Sequence, residues 1–165
     1  MTLKKQLAAS ATAALFLLTM SAKTQAGTSF RLEIGPPIAA GMSKAIKDYK
    51  KVALVVRPRL CDSLGSVRIT GTAEGIVNGA RQSIALNLIA LDPVEGVYAV
   101  QQQWPADGHW VLQLNGTCPS PKASATTLVP MNKGAFIREK TEVLREPATK
   151  KQLEAALTAL ARSQS

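Results

Sequence analysis

Few side chains in this sequence are equipped for chemistry. It has one histidine, His109, and two cysteines, Cys61 and Cys118, in 165 residues. Those counts exclude zinc fingers, multi-histidine metal cages and iron–sulfur clusters built from this chain alone. A hydrolytic triad requires an imidazole beside a nucleophile and an acid. Asp107 stands two positions before His109, but Gly108 lies between them in a turn, and no Gly-x-Ser-x-Gly motif supplies a nucleophile. A soft-metal site would have to join His109 to Met42 or Met131, and no spacing in the sequence brings these together. Glu139, Glu142 and Glu146 are interleaved with Arg138, Lys140 and Arg145, the pattern of a solvated mixed-charge strand face and not of an acid/base pair. The sequence has no phosphate-binding loop or dinucleotide motif. The expectation is a protein that is not an enzyme, with no catalytic residues, no cofactor and no metal ligands.

The cysteines read differently once the N-terminus is considered. Residues 1–26 begin with Lys4 and Lys5, continue through an uncharged apolar run from Ala8 to Met20, and end on Ala26. That is the layout of a cleaved secretory signal peptide. The apolar run is well short of the ~20 residues that span a bilayer as a helix. The expected mature chain starts at Gly27, is periplasmic or secreted, and is not an integral membrane protein. In an oxidising compartment an even pair of cysteines forms a disulfide. Cys61 and Cys118 lack Cys-x-x-Cys spacing, so a structural bridge is expected. Closing a loop of that length is worth ~4 kcal/mol in the chain-entropy treatment.

Charge is the other feature with a functional reading. Lys and Arg number 20 against 11 Asp and Glu, a net charge of +9, although Lys4, Lys5 and Lys23 belong to the export segment. Lys44, Lys47, Lys50, Lys51, Arg57 and Arg59 form a basic cluster interrupted only by Asp48. Such a stripe is a candidate site for an anionic lipid surface, an acidic polysaccharide or an acidic envelope protein. Nucleic acid is not expected as a partner, because only Tyr49 is nearby for base stacking.

The elements that must position these residues follow from periodicity. Apolar residues make up 46% and charged residues 19%, which excludes a disordered polar tail and a polytopic membrane protein. Thr28 to Ile34 alternates until Gly35-Pro36-Pro37 stops it. Val52 to Leu60 is rich in β-branched residues, with Pro58 marking an edge or bulge. Ser66 to Val77 places Val67, Ile69, Ala73 and Val77 on one face. Asn78-Gly79 is a hairpin signal. Alternation resumes from Ala80 to Leu91, from Val97 to Trp104 and from His109 to Asn115, where Trp110, Leu112 and Leu114 share a face. Short turns between these segments predict four neighbouring antiparallel strands in a meander. Ala123–Met131 and Phe136–Leu144 supply two more strands. After Pro147 the pattern changes to helical: Leu153, Ala156, Leu157, Leu160 and Ala161 recur at helix spacing, and Thr149 with Gln152 forms a capping box. The helix packs on the strands or docks on a partner. Seven or so short strands predict a two-sheet sandwich. The divisions are 1–26 for export, 27–147 for the sandwich and 148–165 for the helix.

Gly96-Val97-Tyr98, Trp104-Pro105 and Gly108-His109-Trp110-Val111-Leu112 together resemble the Gly-x-Tyr … Gly-x-Trp-x-Leu hairpin of exported bacterial immunoglobulin-like domains of the YtkA-like and FixH-like kind. The resemblance spans roughly Arg81 to Asn115. It implies an all-β, immunoglobulin-like antiparallel sandwich in the periplasm and implies no enzyme. Related copper-carrier sandwiches use histidine, often at the mature N-terminus, and methionine-rich loops; here the mature chain would start at Gly27, and no such loops are present. Three functions follow in order: a non-catalytic interaction or structural module of the cell envelope, a periplasmic copper-handling protein, and a binder of anionic lipid or polysaccharide.

Overall fold

A pleated chain sends successive side chains to opposite faces, so alternating sequences become strands with one face to bury. The structure, a computed structural model, describes residues 29–37, 51–91 and 94–163. Within them lie β1 (Arg31–Gly35), β2 (Val52–Arg59), β3 (Arg68–Val77), β4 (Ala80–Ala85), β5 (Leu88–Ala90), β6 (Tyr98–Gln101), β7 (His109–Pro119), β8 (Lys122–Asn132), β9 (Ala135–Phe136), β10 (Glu142–Leu144) and one helix, α1 (Lys150–Arg162). The expected export segment, and Met42, Lys44, Lys47 and Lys50, fall outside the described residues.

The strands form two antiparallel sheets. The smaller has the order β1-β2-β6-β5 and the larger β10-β8-β7-β3-β4, with β9 also paired to β8. Lettering the first eight strands A, B, C, C′, D, E, F and G gives A-B-E-D facing G-F-C-C′, the strand order of an immunoglobulin-type sandwich. The chain is therefore an all-β sandwich with a C-terminal helix, as its periodicity predicts.

The expected meander is corrected. Ala80 to Leu91 is not one strand. Leu86 N–H still donates to the Gly71 carbonyl in the larger sheet, at 2.9 Å, while Asn87 N–H donates to Gln103 Oε1 at 2.7 Å beside the smaller sheet. The chain changes sheets between these two residues. It pairs β5 with β6, then crosses back so that β7 lands beside β3 and not beside β6. Phe136 to Leu144 is also interrupted. Phe136 pairs with Met131 and Glu142 with Leu128, and a 3-10 turn at Arg138–Lys140 takes up the extra residues. The break falls at Pro130. Its carbonyl accepts from Ile137 N–H at 2.8 Å, so its own nitrogen faces the same edge and has no proton to donate.

The core lies between the sheets. Ala73, Trp110, Leu112, Leu114, Val129 and Met131 of the larger sheet meet Leu32, Ile34, Leu54, Val56 and Val100 of the smaller, and Trp104 closes one end. The six-membered ring of Trp110 lies over its cross-strand partner Gly75, where an added Cβ would stand 2.4 Å from the ring. Trp110 Nε1–H donates to the Asp107 carbonyl at 2.9 Å, which satisfies the indole's one polar group. Asn78 and Gly79, at φ 50° and 77°, make the tight β3–β4 turn that the dipeptide predicts.

The expected disulfide is present. Cys61 follows β2 in the smaller sheet and Cys118 ends the buried run of β7 in the larger, so the bridge joins the two layers across 57 positions. At the same end Asp62 N–H donates to the Ser120 carbonyl at 3.0 Å, and Ser120 Oγ donates to the Asp62 carboxylate at 3.3 Å.

The helix packs on the sandwich. Thr149 Oγ1 accepts from Gln152 N–H at 3.2 Å and Gln152 Oε1 accepts from Thr149 N–H at 2.9 Å, completing the capping box. Leu153, Leu157 and Leu160 are buried against Val111 and Leu128 on the outer face of the larger sheet. Arg81 of β4 fastens the helix by pairing with Glu154, and it also reaches Glu74 at 3.6 Å.

Two stability outcomes follow. Gly75→Ala should lower unfolding free energy by about 1–3 kcal/mol through overpacking against Trp110, read as a lower urea midpoint at unchanged slope. Replacing Cys61 and Cys118 together by serine should cost about 2–5 kcal/mol, and the same loss should appear in the wild-type protein on full reduction.

Candidate functional site: an arginine recess on the smaller sheet

The register of β1 and β2 sets the site. Arg31 lies opposite Arg59, Glu33 opposite Arg57 and Gly35 opposite Val55. Leu32, Ile34 and Val56 point into the core, so alternation turns the charged residues outward. Glu33 does not pair with its direct neighbour. Its Oε2 accepts from Arg59 Nε at 2.6 Å, and both side chains are about half exposed, at 52% and 44%. Arg57, half-buried, is left with no ion pair among the described residues.

A third guanidinium arrives from another part of the chain. The 3-10 turn that interrupts the β8 edge carries Arg138, whose guanidinium carbon lies 5.6 Å from the centroid of the Phe136 ring. Arg138 joins Arg57, Arg59, Glu33, Ile34, Gly35 and Val55 around a recess of about 180 Å³. Three guanidiniums thus face one carboxylate. An exposed pair such as Arg59–Glu33 is worth at most about 1 kcal/mol, so Glu33 is a weak incumbent. The planar fork of a guanidinium matches carboxylate, phosphate or sulfate oxygens in pairs. The recess can hold one such group.

Of the residues expected to bind anions, Arg57 and Arg59 do face outward together. Lys51 does not join them. It sits exposed at the other end of β2, six residues from Arg57 and so ~20 Å away along an extended chain. Alternation within β1 could have added Glu33. Nothing local in the sequence points to Arg138, which reaches the recess only through a detour in a different sheet.

The metal candidates are separated. Met131 is the cross-strand partner of Trp110 and is buried in the core, while His109, adjacent to Trp110, is on the opposite face of β7. A single ion cannot be shared between them. Among the described residues no group of three or more His, Cys, Asp or Glu could hold a metal ion. Glu139 lies on the 3-10 turn, Glu142 on β10 and Glu146 beyond it, so they do not line one strand face as expected.

No family model, no curated protein and no solved structure matches this chain.

The charge arrangement gives a direction. Glu33→Gln, which removes the only carboxylate among the described residues that line the recess, should change stability by less than about 1 kcal/mol while raising the affinity for sulfate. Amide shift titration followed at Arg57, with a thermal melt, checks both halves.

Proposed function

We propose that this protein is an exported, non-catalytic β-sandwich that works as an interaction module of the cell envelope, holding an acidic group of a partner protein in the arginine recess. The observation that carries the reading is the half-buried Arg57, unpaired among the described residues and flanked by Arg59 and Arg138 around one recess. With Glu33 paired to Arg59, an incoming carboxylate supplies the charge-assisted hydrogen bonds that Arg57 makes with no acid among the described residues. At about 180 Å³ the recess suits a single anionic group and not a polymer strand.

Other features support the setting. The Cys61–Cys118 disulfide suits an oxidising compartment. The N-terminal 26 residues have the layout of a secretory signal, which supports a mature chain in the periplasm or outside the cell. Among the described residues no helix is long and apolar enough to cross a membrane.

An acidic peptide rich in glutamate serves as the test ligand, beside vesicles of phosphatidylglycerol. Peptide binding should weaken steeply with salt and fall by about tenfold or more in Arg57→Gln/Arg138→Gln, with Lys150→Gln as an unaffected control. Peptide binding indifferent to both arginines would overturn the reading, as would preferential binding to the vesicles. So would turnover of any substrate abolished by one substitution.

A further inference from the structure

We infer that the outer face of the larger sheet carries a second binding site, for a chain of acidic sugars. Its residues are separate from the arginine recess. Beside the disulfide a groove of about 770 Å³ runs over the ends of β3, β7 and β8. Register sets its floor: Arg68 lies opposite Thr117, and Thr117 opposite Ser124. Because Trp110, Leu112 and Leu114 point inward along β7, Thr117 and its neighbours in that row point outward. Lys122 and Ser66 complete the polar lining, and all five of these side chains belong to exposed residues. Neither Arg68 nor Lys122 has an ion pair among the described residues.

The next row of the same face is a hydrogen-bonding ladder. Thr70 lies opposite Asn115, and Asn115 opposite Thr126. Asn115 Oδ1 accepts from Thr126 Oγ1 at 2.9 Å and from Gln113 Nε2 at 3.4 Å. With its oxygen held by two donors, the amide of Asn115 is fixed in orientation, and its NH2 group has no partner among the described residues. The helix lies on the Val111–Leu128 part of this face. In the ladder Thr126 is buried, Asn115 is partly exposed and Thr70 is exposed, so the ladder meets solvent at Asn115 and Thr70.

Two cations and a set of fixed hydroxyl and amide groups call for a ligand with both negative charge and hydroxyls. A charged saccharide has both on every few atoms. An anionic membrane would use the cations alone and would favour large apolar side chains at the rim, whereas the apolar part of the lining here is only Pro119, Ala123 and the bridged Cys118, beside Ser, Thr, Arg and Lys. The site is also rigid. The disulfide and the two Asp62–Ser120 hydrogen bonds anchor the end of β7 and the β7–β8 turn to the segment after β2, and ladder pairing joins β7 to β3 and β8, so binding forfeits little conformational freedom. The charge is supplied by a uronic carboxylate or by a sulfate ester; both present the same oxygens to Arg68 and Lys122.

The disulfide-bonded protein is titrated by calorimetry with oligogalacturonate, with sulfated dextran oligomers, with neutral dextran and with phosphatidylglycerol vesicles. One charged oligosaccharide should bind, and the better of the two identifies the acid. Arg68→Gln/Lys122→Gln should lose about tenfold or more in affinity. Asn115→Ala should lose affinity several-fold at unchanged salt dependence, while Arg57→Gln/Arg138→Gln should bind as the wild type does. Circular dichroism confirms that each variant is folded. The inference is overturned if neither charged oligosaccharide binds, or if Asn115→Ala is without effect, which would mean a plain polyanion patch. It is equally overturned if the Arg57 variant loses as much as the Arg68 variant, or if vesicles bind through Arg68 and Lys122 in place of the sugars. Because the two arginine pairs are changed separately, failure here leaves the recess to be judged on its own test.

Discussion

The ring of Trp110 rests on Gly75, and the two sheets are spaced around that contact. β7 runs up the middle of the larger sheet with Trp110, Leu112 and Leu114 directed at the smaller one. A side chain on β3 at position 75 would lift the indole away from its place, and the facing residues Leu54, Val56 and Val100 would lose the surface they pack on. Gly75 is therefore the complement of one of the two core tryptophans, a large–small pairing of the kind that lets a core reach close packing. The indole nitrogen is satisfied from the adjoining turn by the Asp107 carbonyl, so packing of the core and the course of the β6–β7 connection are fixed by the same side chain.

β7 is also buried from behind over part of its length. Val111 faces outward yet is fully covered, because Leu153, Leu157 and Leu160 of the helix lie on it and on Leu128. The larger sheet is thus sandwiched at one end and bare at the other. The covered end secures the helix; the other end leaves Thr117, Arg68 and Lys122 of the groove exposed. The arginine recess lies on the other layer. Its existence depends on Pro130, since the missing rung in the β8 ladder is where the edge strand breaks and Arg138 is carried out.

What the sequence disclosed and what it hid divide along physical lines. Local chemistry was legible: the Asn78-Gly79 turn, the Thr149–Gln152 cap and the inward set Trp110, Leu112 and Leu114 depend on residues close in the chain. The change of sheet at Leu86–Asn87 was not. Both sheets turn an apolar face to one shared core, so Ile84, Leu86 and Leu88 keep alternating across the crossing and nothing in the pattern marks it. The same blindness turned four strands into a meander. For the site, alternation placed Arg57 and Arg59 outward, but it could not measure the distance to Lys51 at the other end of β2, and it had no means of finding Arg138.

The outermost strands have a consequence for the company the protein keeps. An open sheet margin offers unused backbone donors and acceptors to any extended chain nearby. β5 and β10 are three residues long, β1 carries Arg31 and Glu33, and β4 presents Arg81, Gln82 and Ser83 to solvent. Brevity guards two of the margins and polar side chains guard the others. Short or polar margins of this kind disfavour strand-by-strand growth between copies and leave side-chain surfaces as the better place for contact.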